Sequence, residues 1–308
     1  LHEVIPIPGS IVSGTYADGN IKNYSHGMFQ SVYDYPYLSS SANHIFDLTV
    51  GYDESSGLSG STSTQNSKKI NLYNQYAQVL LGYTGSANNV RMFENDLLND
   101  GTGAMKEVFF INFSRLITKD QIKKGSFALS LGTGSAFADP FNDADLILQD
   151  SRASERTGFQ TEQGGDYGLL FTSSAATATD IAVGNIFYQA GIAVITASVF
   201  GSSVLVDSAG HNIDGVLTGS SISGACDAIR HRVNNLTFNN TTEINSKIYF
   251  CRVPHNKFNY SQNPTYTSNG QIRVKTIETD NPISYITTIG LYSSTGELLA
   301  TAKLSEPL

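Results

Sequence analysis

Four carboxylates are gathered in FADPFNDADLILQD: Asp139, Asp143, Asp145 and Asp150. Oxygen ligands at 139, 143 and 145 could surround a Ca²⁺ in a loop. Two carboxyls facing each other across a cleft could instead share acid and base work on a glycosidic bond. The spacing is not that of an EF-hand loop and Asp is a common turn residue, so turn chemistry is the favoured reading and no metal is assigned. Neither GTGAMK (101–106) nor GTGSAF (132–137) completes a phosphate loop. The first lacks the GxxxxGK[ST] spacing and the second lacks the third glycine, so both read as turns. There is no GxSxG elbow and no HExxH, and the histidines at 2, 26, 44, 211, 231 and 255 have no ligand spacing. No catalytic, cofactor-binding or metal residue is therefore assigned, and the expectation is a chain that is not an enzyme.

The stretch SVYDYPYLSSS (31–41) offers chemistry of another kind, with Tyr33, Tyr35 and Tyr37 at every second position. In an extended strand the three phenol rings share one face. Such a row can stack on a sugar, bury in a core, or seat against another subunit. Pro36 cannot donate to a ladder, which places the strand at an edge. The chain has no Trp, the usual partner of Tyr in sugar platforms. Core packing is the commonest fate of any one ring; for the whole stretch a protein–protein contact is favoured, since Tyr is enriched at interfaces.

The 308 residues suffice for two domains or one large β domain. Charged residues are only 15%, and Gly, Ser, Thr and Asn are abundant, as in β-rich, turn-rich proteins with hydroxyl and amide surfaces. The net charge of −8 argues against nucleic acid. The cluster Arg230, His231 and Arg232 is too small for a DNA-binding face and reads as solvated or interfacial. Cys226 and Cys251 read as two free thiols. No apolar run is long enough to span a bilayer. The chain opens on Leu1 without a signal-peptide pattern, as a trimmed product would, and its last residues read as a strand leaving the domain.

The elements that must position these residues are mostly strands. HEVIPIPGSIVSGTY (2–16), with Ile5 and Ile7 flanking Pro6, reads as an edge or arm. Strands are expected at 43–52, 107–116, 126–134, 167–174, 184–199, 202–210, 247–253 and 271–279, and as a hairpin over 284–304 with SSTGE as its turn. Helices are expected at 68–82, 118–125 and 224–236. Residues 53–68 read as a flexible loop, and 135–168 as a long irregular segment. The fold class is β-dominated α+β, with antiparallel sandwich- or barrel-like sheets and two or three short helices. The 135–168 segment supplies the one candidate boundary, between regions 1–150 and 151–308.

The C-terminal segment FNYSQNPTYTSNGQIRVKTIETDNPISYITTIGLYSSTGELLATAKLSEPL (258–308) resembles the end of a group of structural proteins from tailed bacteriophages. Its pieces FNYSQNP, YITTIGLY and ELLATAKLSEP stand at Phe258–Pro264, Tyr285–Tyr292 and Glu297–Pro307. VGNIFYQAGIAVIT (183–196) is similar to segments of large virion proteins of such phages. The resemblance implies a virion component, in tail, baseplate or neck ahead of capsid, working as one of many copies beside other virion proteins. It implies no cofactor, no membrane and no catalytic residue. The interface residues expected on this reading are Tyr33, Tyr35, Tyr37, Ile5, Ile7, Tyr285 and Tyr292, and the contact segments are 1–15, 31–41, 53–68 and the C-terminal hairpin. The alternatives are a receptor- or glycan-binding fibre or decoration module and, last, a hydrolase of surface polymer using Asp139, Asp143 or Asp145.

Overall fold

The run EVFFINF has too few polar positions for a strand wet on one face. It forms β5 (Glu107–Phe113), buried on both. Phe109, Ile111 and Phe113 enter one hydrophobic core; Val108 and Phe110, alternating with them, enter a second on the opposite side. The computed structural model that places these residues describes 2–13, 18–84, 89–98, 100–137, 140–155, 157–177, 179–201, 210–254, 264–265, 267–268, 271–272 and 286–306.

β5 lies within an eight-stranded antiparallel sheet. Its spatial order is β2 (Ile21–Asn23), β3 (Gln30–Tyr33), β4 (His44–Tyr52), β5, β12 (Ile192–Thr196), β11 (Gly184–Phe187), β10 (Gly165–Leu170) and β9 (Phe159–Glu162). A second antiparallel sheet runs β1 (His2–Ser13), β13 (Val233–Asn245), β7 (Ala128–Leu131), β8 (Leu146–Gln149), and β6 (Gln121–Ile122) also pairs with β13. The two sheets share the first core, where the Phe113 ring lies 5.7 Å from both Phe127 and Phe238. Neither sheet closes into a barrel. The fold is thus β-dominated α+β.

Among the described residues four helices accompany the sheets: α1 (Asn66–Leu80), α2 (Arg115–Thr118), α3 (Ile213–Thr218) and α4 (Ile222–Arg230). α1 presses on β4 at Gly51, where a Cβ would stand 2.8 Å from Lys69 O and 2.9 Å from Tyr73 N. Only glycine permits so close a helix–strand approach. α1 turns Tyr73, Ala77 and Leu80 into the second core.

Several expectations are corrected. No helix spans 118–125: Ser114 Oγ caps α2 at Leu116 N, Lys119 takes φ 53° and ends it, and Ile122 is drawn into the core on β6. The helix expected over 224–236 stops at Arg230, because Val233 and Leu236 are buried as strand residues of β13 between β1 and β7. The segment 135–168 is not irregular throughout, since it contains β8, β9 and the start of β10. Residues 53–65 are a chain of hydrogen-bonded turns: Ser56 N–H donates to Asp53 O (3.0 Å), Ser59 N–H to Ser56 O (3.1 Å) and Thr64 N–H to Thr218 O (2.7 Å). Residues 247–253 form no strand, and 202–209 lie outside the described residues.

Strands from both sides of position 150 pair in both sheets, β5 with β12 and β7 with β13. The compact units are His2–Asn245 and Ser246–Leu308. The described part of the second unit holds two small sheets, β14 (Thr267–Ser268) with β15 (Gln271–Ile272), and β16 (Thr288–Tyr292) with β17 (Leu298–Lys303). The expected turn 293–297 joins β16 to β17. Ser293 N–H donates to Glu297 O (2.9 Å), and Gly296 takes φ 85°, open to glycine at no steric cost.

Candidate functional site

β3 ends at Tyr33, so the three tyrosines do not form a row. Pro36 withholds a ladder donor, and Asp34 closes a turn in which its carboxylate accepts Asn43 N–H (2.6 Å) and Asn43 Nδ2 (2.9 Å). Burial pushes the Asp34 carboxyl up, but hydrogen bonds from Asn43 and from the backbone of Tyr35 and Asp34 together hold it below its usual value. The loop is pinned to its neighbour by Asn20 Nδ2 donating to Asp34 O (3.2 Å) and Tyr37 N–H to Gly19 O (3.1 Å). This turn still brings two of the rings together: Tyr33 lies 6.3 Å from Tyr37 and 5.5 Å from His44. Tyr35 is 58% exposed and Leu38 85%. The loop presents an aromatic and aliphatic tip on a fixed backbone.

Ile5 and Ile7 stand in β1 opposite Thr242 and Asn240 of β13, with a register shift between Ile7 and Ser10 around Pro8. β1 is the edge of its sheet, as the prolines require. Tyr285 lies outside the described residues. Tyr292 sits at the end of β16, 64% exposed.

Two apolar clusters were not legible as exposed. Ile248, Tyr249 and Phe250 face solvent, Phe250 at 98%, although KIYFCRV reads as a strand. Ile289, Leu291, Leu298 and Leu299 are exposed along the C-terminal hairpin.

The acidic residues are held by their own surroundings. Asp145 accepts Ser130 Oγ (2.6 Å) and Asn234 Nδ2 (2.5 Å). Asp150 is buried and accepts Gly125 N–H (2.7 Å), Phe127 N–H (2.9 Å) and the Tyr188 hydroxyl (3.1 Å). Burial pushes its carboxyl up to about 6. Asp143 is exposed, and Asp139 lies outside the described residues. Among the described residues the group close enough to share a cation is Glu94, Asp96 and Asp100, which the sequence reading passed over. Its carboxylates brace a loop: Glu94 accepts the N–H of Asp100 (3.0 Å) and Gly101 (2.9 Å), and Asp96 that of Leu98 (2.9 Å).

Both arginines of the basic cluster are buried rather than solvated. Arg230 is buried against Asp227 (2.8 Å), and Arg232 is buried with Nη1 donating to the carbonyls of Gly132 (3.0 Å) and Gly134 (2.8 Å). The second GTG turn is thus a socket for an arginine. Lys69, also buried, donates to Leu217 O (2.6 Å) in the last turn of α3 and to Ser220 O (2.8 Å) just beyond it, and desolvation lowers its ammonium to about 8. Both cysteines are free, Cys226 buried and Cys251 exposed. No helix among the described residues is long and apolar enough to cross a membrane.

Comparison of the chain with protein-family models, with curated proteins and with solved structures finds no match in any of the three.

Proposed function

We propose that this chain is a non-enzymatic structural component of a tailed phage particle that assembles through contacts with copies of itself and with other virion proteins, in tail, baseplate or neck ahead of capsid. The observation that carries the reading is the apolar surface of the Ser246–Leu308 unit, where Ile248, Tyr249, Phe250, Ile289, Leu291 and Leu299 all face water. Exposed apolar clusters of this kind are features of surfaces that a partner covers. The resemblance of 258–308 to phage structural proteins supplies the kind of particle. Of the carboxylates a hydrolase would use, Asp145 is engaged in bracing its loop against Ser130 and Asn234, which favours a role carried by surfaces.

The test is the mass of the full chain in solution by light scattering, beside a Tyr249→Ser/Phe250→Ser chain. A defined oligomer that shrinks in the variant supports the reading. A monomer in both, at concentrations into the range of ~100 µM where obligate contacts persist, counts against it. A glycan-binding module is the second reading, favoured by the exposed Tyr35 beside the Tyr33–Tyr37 pair. Binding on a glycan array that Tyr35→Ala abolishes would support it.

A further inference from the structure

β5 turns Phe109, Ile111 and Phe113 into the first core. The position before them on the same face is an acid, Glu107. Thr196 pairs with Val108, which brings Ala197 and the 3₁₀ turn Ala197–Phe200 alongside Glu107. A cavity of about 310 Å³ opens at this end of the core. Leu58, Ala197, Ile213 and Leu217 give it an apolar lining, and its charged lining residues are Glu107 and Asp214.

The wall is held in place before any ligand arrives. Leu58 N–H donates to Ser56 Oγ (3.0 Å), and that hydroxyl donates on to the Glu107 carboxylate. Thr64 N–H and Oγ1 tie the same run of turns to Thr218 O (2.7 Å) and Gly219 O (3.0 Å) at the end of α3. Neither Glu107 nor Asp214 takes part in an ion pair among the described residues. Lys69 lies behind Leu217 but is committed to Leu217 O and Ser220 O, and Lys106 reaches Ser55 O (3.4 Å).

An apolar chamber with two acids in its wall selects its ligand by charge. A carboxylate or phosphate would meet two like charges. A neutral apolar body would cover the half-buried Glu107 without supplying a counter-charge, which costs free energy. An alkyl stem lies on the apolar lining while an ammonium head donates to the carboxylates. An acid in the first turn of a helix is also what the helix dipole favours, so Asp214 alone decides nothing; the cavity and the positioned Glu107 do.

We propose that this cavity binds the ammonium end of an aliphatic primary amine, with Glu107 and Asp214 as its counter-charges. The site is separate from the assembly reading and stands or falls without it.

The experiment is a ligand-observed NMR titration of the full chain at pH 7 with n-butylamine, 1-butanol and butyrate. Butylamine should saturate with a dissociation constant on the order of 1 mM, and the other two should bind at least about tenfold more weakly. Glu107→Gln and Asp214→Asn should each weaken butylamine about tenfold, while Asp143→Asn, which removes an exposed acid elsewhere, should leave it unchanged. Asp214 is exposed, so its variant carries the test if the Glu107 variant is unstable. Blocked lysine, Nα-acetyl-lysine methylamide, separates the sources of the group: binding equal to that of butylamine assigns the site to a lysine side chain of another chain, and binding about tenfold weaker assigns it to free amines. Butylamine that does not saturate, that binds no better than butanol, or that binds equally to the parent and both site variants overturns the proposal.

Discussion

Asp150 shows how a residue that could do chemistry is spent on structure. Its carboxylate joins the turn before β7 to Tyr188 after β11, and burial raises it to about 6. A carboxyl raised in the folded state binds more protons there than in the unfolded chain, so its share of stability is fullest below the ordinary value near 4 and is lost as pH rises through 6. Between pH 7 and 5 this one group should add about 1 kcal/mol to the free energy of unfolding. Urea titrations of the parent and Asp150→Asn at the two pH values check it, and the variant should lack that increment. Lys69 has the opposite sense. Its lowered ammonium favours the neutral form in the fold, so its share grows as pH rises from about 8 towards 10. The sequence shows that these groups are titratable and nothing of their burial, because the partners of Asp150 come from residues 125, 127 and 188 and those of Lys69 from 217 and 220.

At the scale of elements, what is legible is what depends on neighbours in sequence. β4, β5 and the β16–β17 hairpin with its SSTGE turn follow from runs of apolar residues and turn chemistry, whereas the single strand expected over 184–199 is in fact two strands, β11 and β12, folded back on each other at a turn where Gly191 takes φ 69°. α1 follows from its periodicity. What fails is set by distant partners: Val233 and Leu236 fit a helix face as well as a strand, and β1 and β7 decide the matter. The tyrosine row fails for a local reason, since the Asp34–Asn43 turn bends the chain one residue after Tyr33. Tight packing between elements makes a sharp prediction at Gly51. Gly51→Ala drives a methyl into the backbone of α1 and should cost about 2 kcal/mol, whereas Gly57→Ala, with open space around it, should fall within about 0.5 kcal/mol of the parent. Denaturation midpoints of the two variants decide it. Hydrogen exchange should likewise show the amides of Phe109, Phe110 and Ile111 protected far longer in dilute protein than those of Ile289 and Leu291, in keeping with buried and fully exposed strands.

For the whole molecule, the reach of β1 matters most. It pairs with β13 from His2 opposite Asn245 to Ser13 opposite Asn235, joining the start of the chain to a strand about 220 residues later. A chain lacking residues 1–13 should therefore bind a peptide of that sequence added in trans, by strand addition along the vacated edge of β13. Anisotropy of a labelled peptide would register the binding, and a flat titration against folded truncated chain would refute it. The same closure has a consequence in time. A ribosome adds roughly 5–20 residues per second, so β1 leaves it on the order of ten seconds or more before its partner exists. During that interval β1 must wait unpaired, and β13, once made, completes a sheet whose edge was synthesised about 220 residues earlier.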